Sequence, residues 1–138
     1  MAAGADAVYL GYAAFSARAG AGNFDEQQLR DAVRFCHLHH VRVHVTVNTL
    51  IKDEELDEVL QVLRLIENAG ADAVLVQDAG VLMLARACLP GLPVHASTQM
   101  ALHNATGVRF AQGMGMTRVV LARECSLKEI GKCCAAGP

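Results

Sequence analysis

Short apolar runs alternate along this chain with longer stretches in which apolar positions recur every three or four residues. The runs at 5–11, 41–48, 71–77, 93–98 and 118–122 are rich in β-branched residues and bounded by Gly, Pro or polar groups, so they predict five strands. The stretches between them predict helices. Asp25 and Gln28 form a capping-box pattern ahead of Leu29, Ala32, Val33 and Cys36. Asp53 is placed to cap a second helix whose buried stripe is Leu56, Val59, Leu60, Leu63 and Ile66. Val81, Leu82, Leu84, Ala85 and Cys88 mark a third, stopped by Pro90-Gly91. Val108, Phe110, Ala111 and Met114 mark a fourth, ended by Gly113 and Gly115, and Ser126 with Glu129 opens a fifth.

Strands alternating with helices imply a parallel sheet with right-handed crossovers. The phrase Ala-Gly-Ala-Asp-Ala-Val occurs identically at 3–8 and 69–74, each time leading into an apolar run. The spacing equals about two βα units of ~33 residues, and the phrase marks helix-to-strand junctions. An open doubly wound sheet would need a Gly-rich phosphate loop, and Gly20-Ala21-Gly22 lacks its third glycine. The chain therefore reads as an α/β protein, one incomplete (β/α) TIM-type barrel domain over 1–138. It holds about five of the eight units that a closed barrel takes. Either a longer protein supplies the rest, or a partner does.

Composition narrows the class. The chain is 53% hydrophobic and 19% charged, which excludes disorder. The net charge of −2 makes no electrostatic case for nucleic acid, but leaves open an RNA enzyme whose basic surface lies elsewhere. No apolar run approaches the ~20 residues that span a bilayer, and no leader pattern opens the chain. The five cysteines have no framework spacing, so reduced thiols in the cytoplasm are expected.

Candidate chemistry gathers where strands end, because barrels place their sites at the C-terminal strand ends. Alternation puts His95, Ser97 and Gln99 on one face, and Arg42, His44, Thr46 and Asn48 on one face opposite Val41, Val43, Val45 and Val47. The valines should meet the helices and the polar set should face the barrel interior. His95 reads equally as a satisfied core histidine or as a pocket residue. Ser97 and His95 stand ~6.6 Å apart along a strand, too far for a nucleophile–base pair. Arg18 is either an anion clamp in a small-residue loop or a surface arginine. Asp78 reads as a helix N-cap. Glu124 is either an acid–base group or a partner of Arg123 or Arg118. His37-Leu38-His39-His40 lies at a helix end, where its charge complements the dipole, and no carboxylate or cysteine completes a metal set. Cys125, Cys133 and Cys134 match no metal spacing.

Phe15-Ser16-Ala17-Arg18-Ala19-Gly20-Ala21-Gly22-Asn23-Phe24, Val47-Asn48-Thr49-Leu50, Val76-Gln77-Asp78, His95-Ala96-Ser97-Thr98-Gln99-Met100 with Asn104, and Val120-Leu121-Ala122-Arg123-Glu124 follow one another in that order. This ordered set resembles the N-terminal barrel portion of the peptidase U32 family, the collagenase-like proteases, from residue 2 to about 130. The family also contains proteins of tRNA and ribosomal RNA hydroxylation and of ubiquinone-precursor hydroxylation, several with a [4Fe-4S] cluster. The resemblance implies a pocket lined by Arg18, Asn23, Asn48, Gln77, His95, Ser97, Gln99 and Glu124, positioning substrate, with no catalytic residue assigned. The family's cysteine signature is expected beyond Glu124, and Cys125, Cys133 and Cys134 do not match it. No cofactor or metal is therefore expected in this chain, and residues 131–138 form a divergent tail. The implied function is that of a portion of an RNA-hydroxylation enzyme or collagenase-like peptidase, inactive by itself, with RNA or peptide as substrate. The alternative is a non-catalytic half-barrel interaction module, associating through its open edges and not with membranes.

Overall fold

A computed structural model describes residues 4–17 and 22–137. Its strands are β1 (Ala7–Gly11), β2 (Arg42–Val47), β3 (Ala73–Val76), β4 (Val94–Ala96) and β5 (Arg118–Val119). All neighbours are parallel, and the spatial order β1-β2-β3-β4-β5 follows the chain. A doubly wound sheet must reverse its order at a switch point. This sheet does not, so its order is that of consecutive staves of a (β/α) barrel. Helices α1 (Glu26–Leu38), α2 (Leu56–Asn68), α3 (Ala79–Cys88), α4 (Ala105–Gly113) and α5 (Leu127–Cys134) fill the crossovers and follow the last strand. Among the described residues no helix is long and apolar enough to cross a membrane.

Alternation decides what each sheet face meets. Val43, Val45, Val47, Val74, Val76, Val94 and Ala96 are buried in one core with Leu29 and Val33 of α1, Val59, Leu63 and Ile66 of α2, Val81 and Leu82 of α3, and Ala111 of α4. Full burial of one such Val or Leu contributes ~1.5–3 kcal/mol. The opposite, inner face carries Tyr9, His44, Thr46, Leu75, His95 and Ser97, as the valine/polar alternation requires.

Local signals explain the element ends. Asp25 accepts the Gln28 N–H at 2.8 Å and Gln28 accepts the Asp25 N–H at 3.0 Å, closing the capping box of α1. Asp78 caps α3 by accepting the Val81 N–H at 3.0 Å, and Ser126 with Glu129 boxes α5. Asn104 caps α4, accepting the Gly107 N–H at 2.8 Å. The expectation for Asp53 is corrected. Residues Asp53–Glu55 form a 3₁₀ turn, and it is Glu55 that reaches back to the Lys52 N–H at 2.8 Å. Leu60 and Leu56 are only partly buried, Val62 taking the buried place beside Val59 and Leu63. Phe110 of the fourth stripe is 62% exposed, so α4 docks on Val108 and Ala111 alone.

The hexapeptide repeat sits at equivalent junctions. Gly4 (φ 71°) and Gly70 (φ 80°) are both left-handed, and Ala7 and Ala73 both begin strands. In the second copy Asp72 does more than turn the chain. Its carboxylate accepts the Val43 N–H at 2.7 Å and meets His37 Nε2 at 2.8 Å, joining α1, β2 and β3. The His37-Leu38-His39-His40 cluster is thus split: His37 pairs with Asp72, and His39 packs edge-on against Phe35.

Candidate functional site

Along β1 and where β2 to β4 end, the chain opens a cavity of about 760 Å³, its apolar wall including Val8, Leu10 and Leu75 and its polar wall Asn23, Thr46, Asn48, Ser97, Thr98, Gln99 and Arg123. Asn48 organises it. Its backbone N–H donates to the Phe15 carbonyl at 3.0 Å, its Oδ1 accepts the Ala17 N–H at 3.1 Å, and its Nδ2 donates to Ser97 Oγ at 3.2 Å. One side chain therefore ties the loop after β1 to the turn after β4. Phe15 sits at φ 58°, a left-handed conformation disfavoured for a side chain of this size. Its carbonyl accepts from both the Asn48 backbone and Thr49 Oγ1, at 3.3 Å for the latter, which holds the turn in place. Thr46 Oγ1 bonds Ser16 Oγ at 3.0 Å on the same rim.

Gly11 makes room for Asn23. A Cβ at position 11 would collide with Asn23 Oδ1 and stand 2.9 Å from Ser16 Oγ. A side chain at position 11 would push the Asn23 amide and the Ser16 hydroxyl aside.

Ser97 reaches the cavity by a different route from the alternating strand expected over 93–98. β4 stops at Ala96. Ser97 Oγ accepts the Gln99 N–H at 3.3 Å and caps a 3₁₀ turn over Thr98–Met100. That turn brings both Thr98 and Gln99 to the cavity wall, although strand alternation places them on opposite faces.

Of the eight pocket residues expected, Asn23, Asn48, Ser97 and Gln99 line this cavity. Arg18 lies outside the described residues. Gln77 is partly buried at the end of β3 and Glu124 is exposed after β5; neither is on the cavity wall. Among the described residues Glu124 forms no ion pair with Arg123 or Arg118. Arg123 lines the cavity instead, and Thr46, Thr98 and Gly11 join it. The adjacent Arg-Glu pair holds no signal for which of the two turns inward. Thr46 was legible from its place between His44 and Asn48 on one strand face.

His95 is on the inner face but in a second cavity, at the other end of the strands, with Arg42, His44, Asp72, Thr117 and Arg118. Its ring packs edge-on against His44 at 4.8 Å, and His44 packs against Tyr9 at 5.4 Å. Burial, then the neighbouring His44 and Arg118, lower the His95 pKa to about 4. Burial and Arg118 lower that of His44, partly offset by Asp72. Both rings are neutral at pH 7. In the upper cavity Ser97 bonds amides rather than an imidazole, so the described residues form no serine–histidine pair there.

A cluster cofactor requires converging thiolates. Cys36 is buried on α1, Cys88 is exposed at the end of α3, and Cys125, Cys133 and Cys134 lie at or before α5. Among the described residues no three His, Cys, Asp or Glu side chains converge so as to hold a metal ion. The cysteines do not fit a [4Fe-4S] cradle, and no chemical step is assigned to one here.

The fold and site define a (β/α)-barrel segment whose inner face opens a cavity of mixed polar and apolar lining. The sequence profile of Peptidase family U32 matches residues 1–136, and the chain belongs to that family. It is 37% identical over 127 residues to the 23S rRNA 5-hydroxycytidine C2501 synthase of Escherichia coli, covering 92% of this chain and 19% of that protein. It is 36% identical over 127 residues to the tRNA hydroxylation protein P of Escherichia coli, covering 92% of this chain and 28% of that protein. A collagenase of Porphyromonas gingivalis is 34% identical over 129 residues, covering 93% of this chain and 30% of that protein. The chain thus spans less than a third of the length of these relatives. The solved structure of the U32 peptidase Mk0906 superposes with a TM-score of 0.72 at 14% identity, covering 96% of this chain and 57% of that one, which shows the shared fold.

Proposed function

We propose that this chain is a barrel portion of a U32 protein of RNA hydroxylation, and that its upper cavity receives a pyrimidine of tRNA or ribosomal RNA. The observation that carries this reading is the chemistry of the cavity wall. Asn23 and Gln99 offer amide groups, framed by the bonded Thr46, Asn48 and Ser97, and such amides suit the mixed donors and acceptors of a base edge. Arg123 suits the phosphate beside it. The volume lies within the ~300–1,000 Å³ typical of small-molecule pockets. The hydroxylation names of the relatives support the reading further. The peptidase reading lacks a positioned nucleophile–base pair among the described residues. The chain's own part is to bind and orient the base; the oxidative step is assigned to none of its residues. The five cysteines are free thiols, which agrees with a cytoplasmic protein.

The test is direct binding by the purified protein. Cytidine and uridine monophosphates should bind, and Asn48→Ala and Gln99→Ala should each weaken them at least tenfold. A collagen-type peptide that binds where nucleotides do not would replace the RNA reading with the peptidase one. In a deletion strain complemented by a full-length parent, the same substitutions should lower hydroxylated pyrimidine measured by mass spectrometry.

The second reading, a half-barrel interaction module, rests on the sheet edges. Among the described strands β1 pairs only with β2 and β5 only with β4. A defined dimer of the chain that binds no nucleotide would favour it.

A further inference from the structure

The inner face holds a second polar site that the upper cavity does not use. It is a cavity of about 320 Å³ at the N-terminal strand ends, lined by Arg42 and His44 of β2, Asp72 and Pro93, His95 of β4, and Thr117 with Arg118 at β5. Both histidines are almost closed to solvent, His44 at 2% exposure and His95 at 5%. The Nδ1 of each is buried and has no hydrogen-bond partner among the described residues. Buried imidazole nitrogens are ordinarily partnered.

The charge around them is unbalanced. Neither the Arg42 nor the Arg118 guanidinium forms an ion pair or hydrogen bond among the described residues. Among the described residues Asp72 is the only acid on the wall, and its Oδ2 is already engaged by the Val43 N–H and His37. Tyr9 packs on His44 from β1. Two guanidinium forks and two imidazoles thus surround a small space with one engaged carboxylate. Guanidinium groups pair with planar oxyanions through parallel N–H donors.

We propose that this lower cavity binds a small oxyanion, a carboxylate or phosphate, held by Arg42 and Arg118 and bordered by the His44–His95 pair. The site is independent of the base-binding reading, since none of its residues lines the upper cavity. An anion there reverses the sign of the local field. Burial, with the positive neighbours adding to it, favours the neutral rings, and a bound anion favours their protonated forms. Binding therefore moves the ring titrations upward.

Inorganic phosphate, titrated into the intact protein while histidine ring resonances are followed by NMR, tests this. The expected result is a saturable shift of both His44 and His95 and an upward move of the His95 midpoint. Sodium chloride at matched ionic strength should give neither; succinate in place of phosphate tells whether carboxylates are taken too. Arg118→Gln, at an exposed position, should weaken phosphate at least tenfold, and Arg42→Gln provides a second variant, each checked for native near-UV dichroism. The proposal is overturned if the shifts do not saturate, if chloride reproduces them, or if both folded variants bind phosphate like the parent. Asn48→Ala should leave phosphate binding here unchanged, so failure of this site and failure of the upper one are read separately.

Discussion

Asn48 concentrates the organisation of the upper cavity in one side chain, because its two amide ends face two different segments. Asn48→Ala loses both side-chain bonds and leaves Ser97 Oγ short of a donor. At about 0.5–1.5 kcal/mol per bond, the variant should lose roughly 1–3 kcal/mol of stability in urea unfolding. Amide exchange should speed up first at Ala17. Gly11→Ala acts differently: its Cβ displaces Asn23 from the wall, so nucleotide binding should fall while Asn48 keeps its bonds. His95 carries a pH signature. Its folded pKa, about 4, lies below the usual 6.5, so the unfolded chain takes up the proton first. The stability that this neutral burial confers is complete above pH 6.5 and is lost as pH falls toward 4. Unfolding free energy should drop by about 2 kcal/mol between pH 7 and pH 5, and His95→Gln should flatten that slope. The inward place of His95 was legible from alternation. Which end of the barrel it serves was not, because alternation assigns a face and says nothing of depth along the strand.

At the scale of elements, every strand and helix was legible, since each rests on a local period. Asp25, Asp78 and Ser126 cap as their spacing predicts. Asp25→Ala should cost about 1 kcal/mol, read as a lower Tm, because the first N–H groups of α1 lose their acceptor. The strand ends were less legible. The β4 run extends to Thr98 by composition, but Ser97 turns its hydroxyl onto the Gln99 N–H and ends the strand at Ala96. Such side-chain-to-backbone competition decides an end without changing the apolar pattern. Asp53 was misplaced as a cap for the same reason: Lys52-Asp53-Glu54-Glu55 offers three acids, and only the geometry shows that Glu55 closes the bond. Gly70, by contrast, announces itself by repetition. Gly70→Ala should cost about 1–2 kcal/mol, since its φ of 80° is left-handed.

The whole molecule presents an inner face lined by polar groups and two unpaired sheet edges among its described strands. Exposed edges are templates for further pairing. The purified chain should therefore self-associate with rising concentration in sedimentation experiments, and a lysine at Tyr9, 50% exposed on the β1 edge strand, should reduce that association. The count of units and the barrel order were legible from the repeated junctions, whereas the lower cavity was not, because it assembles Arg42, Asp72, His95 and Arg118 from four separate units. The strictly sequential strand order also has a temporal meaning. Each strand from β2 onward docks against one synthesised before it, so among the described strands β1 alone waits for a later one before it can pair. Each pairing still spans a whole βα unit, as between Ala7 and Arg42, so it forms more slowly than a hairpin does. A chain emerging from the ribosome can add one βα unit after another to a growing edge, N-terminal units first.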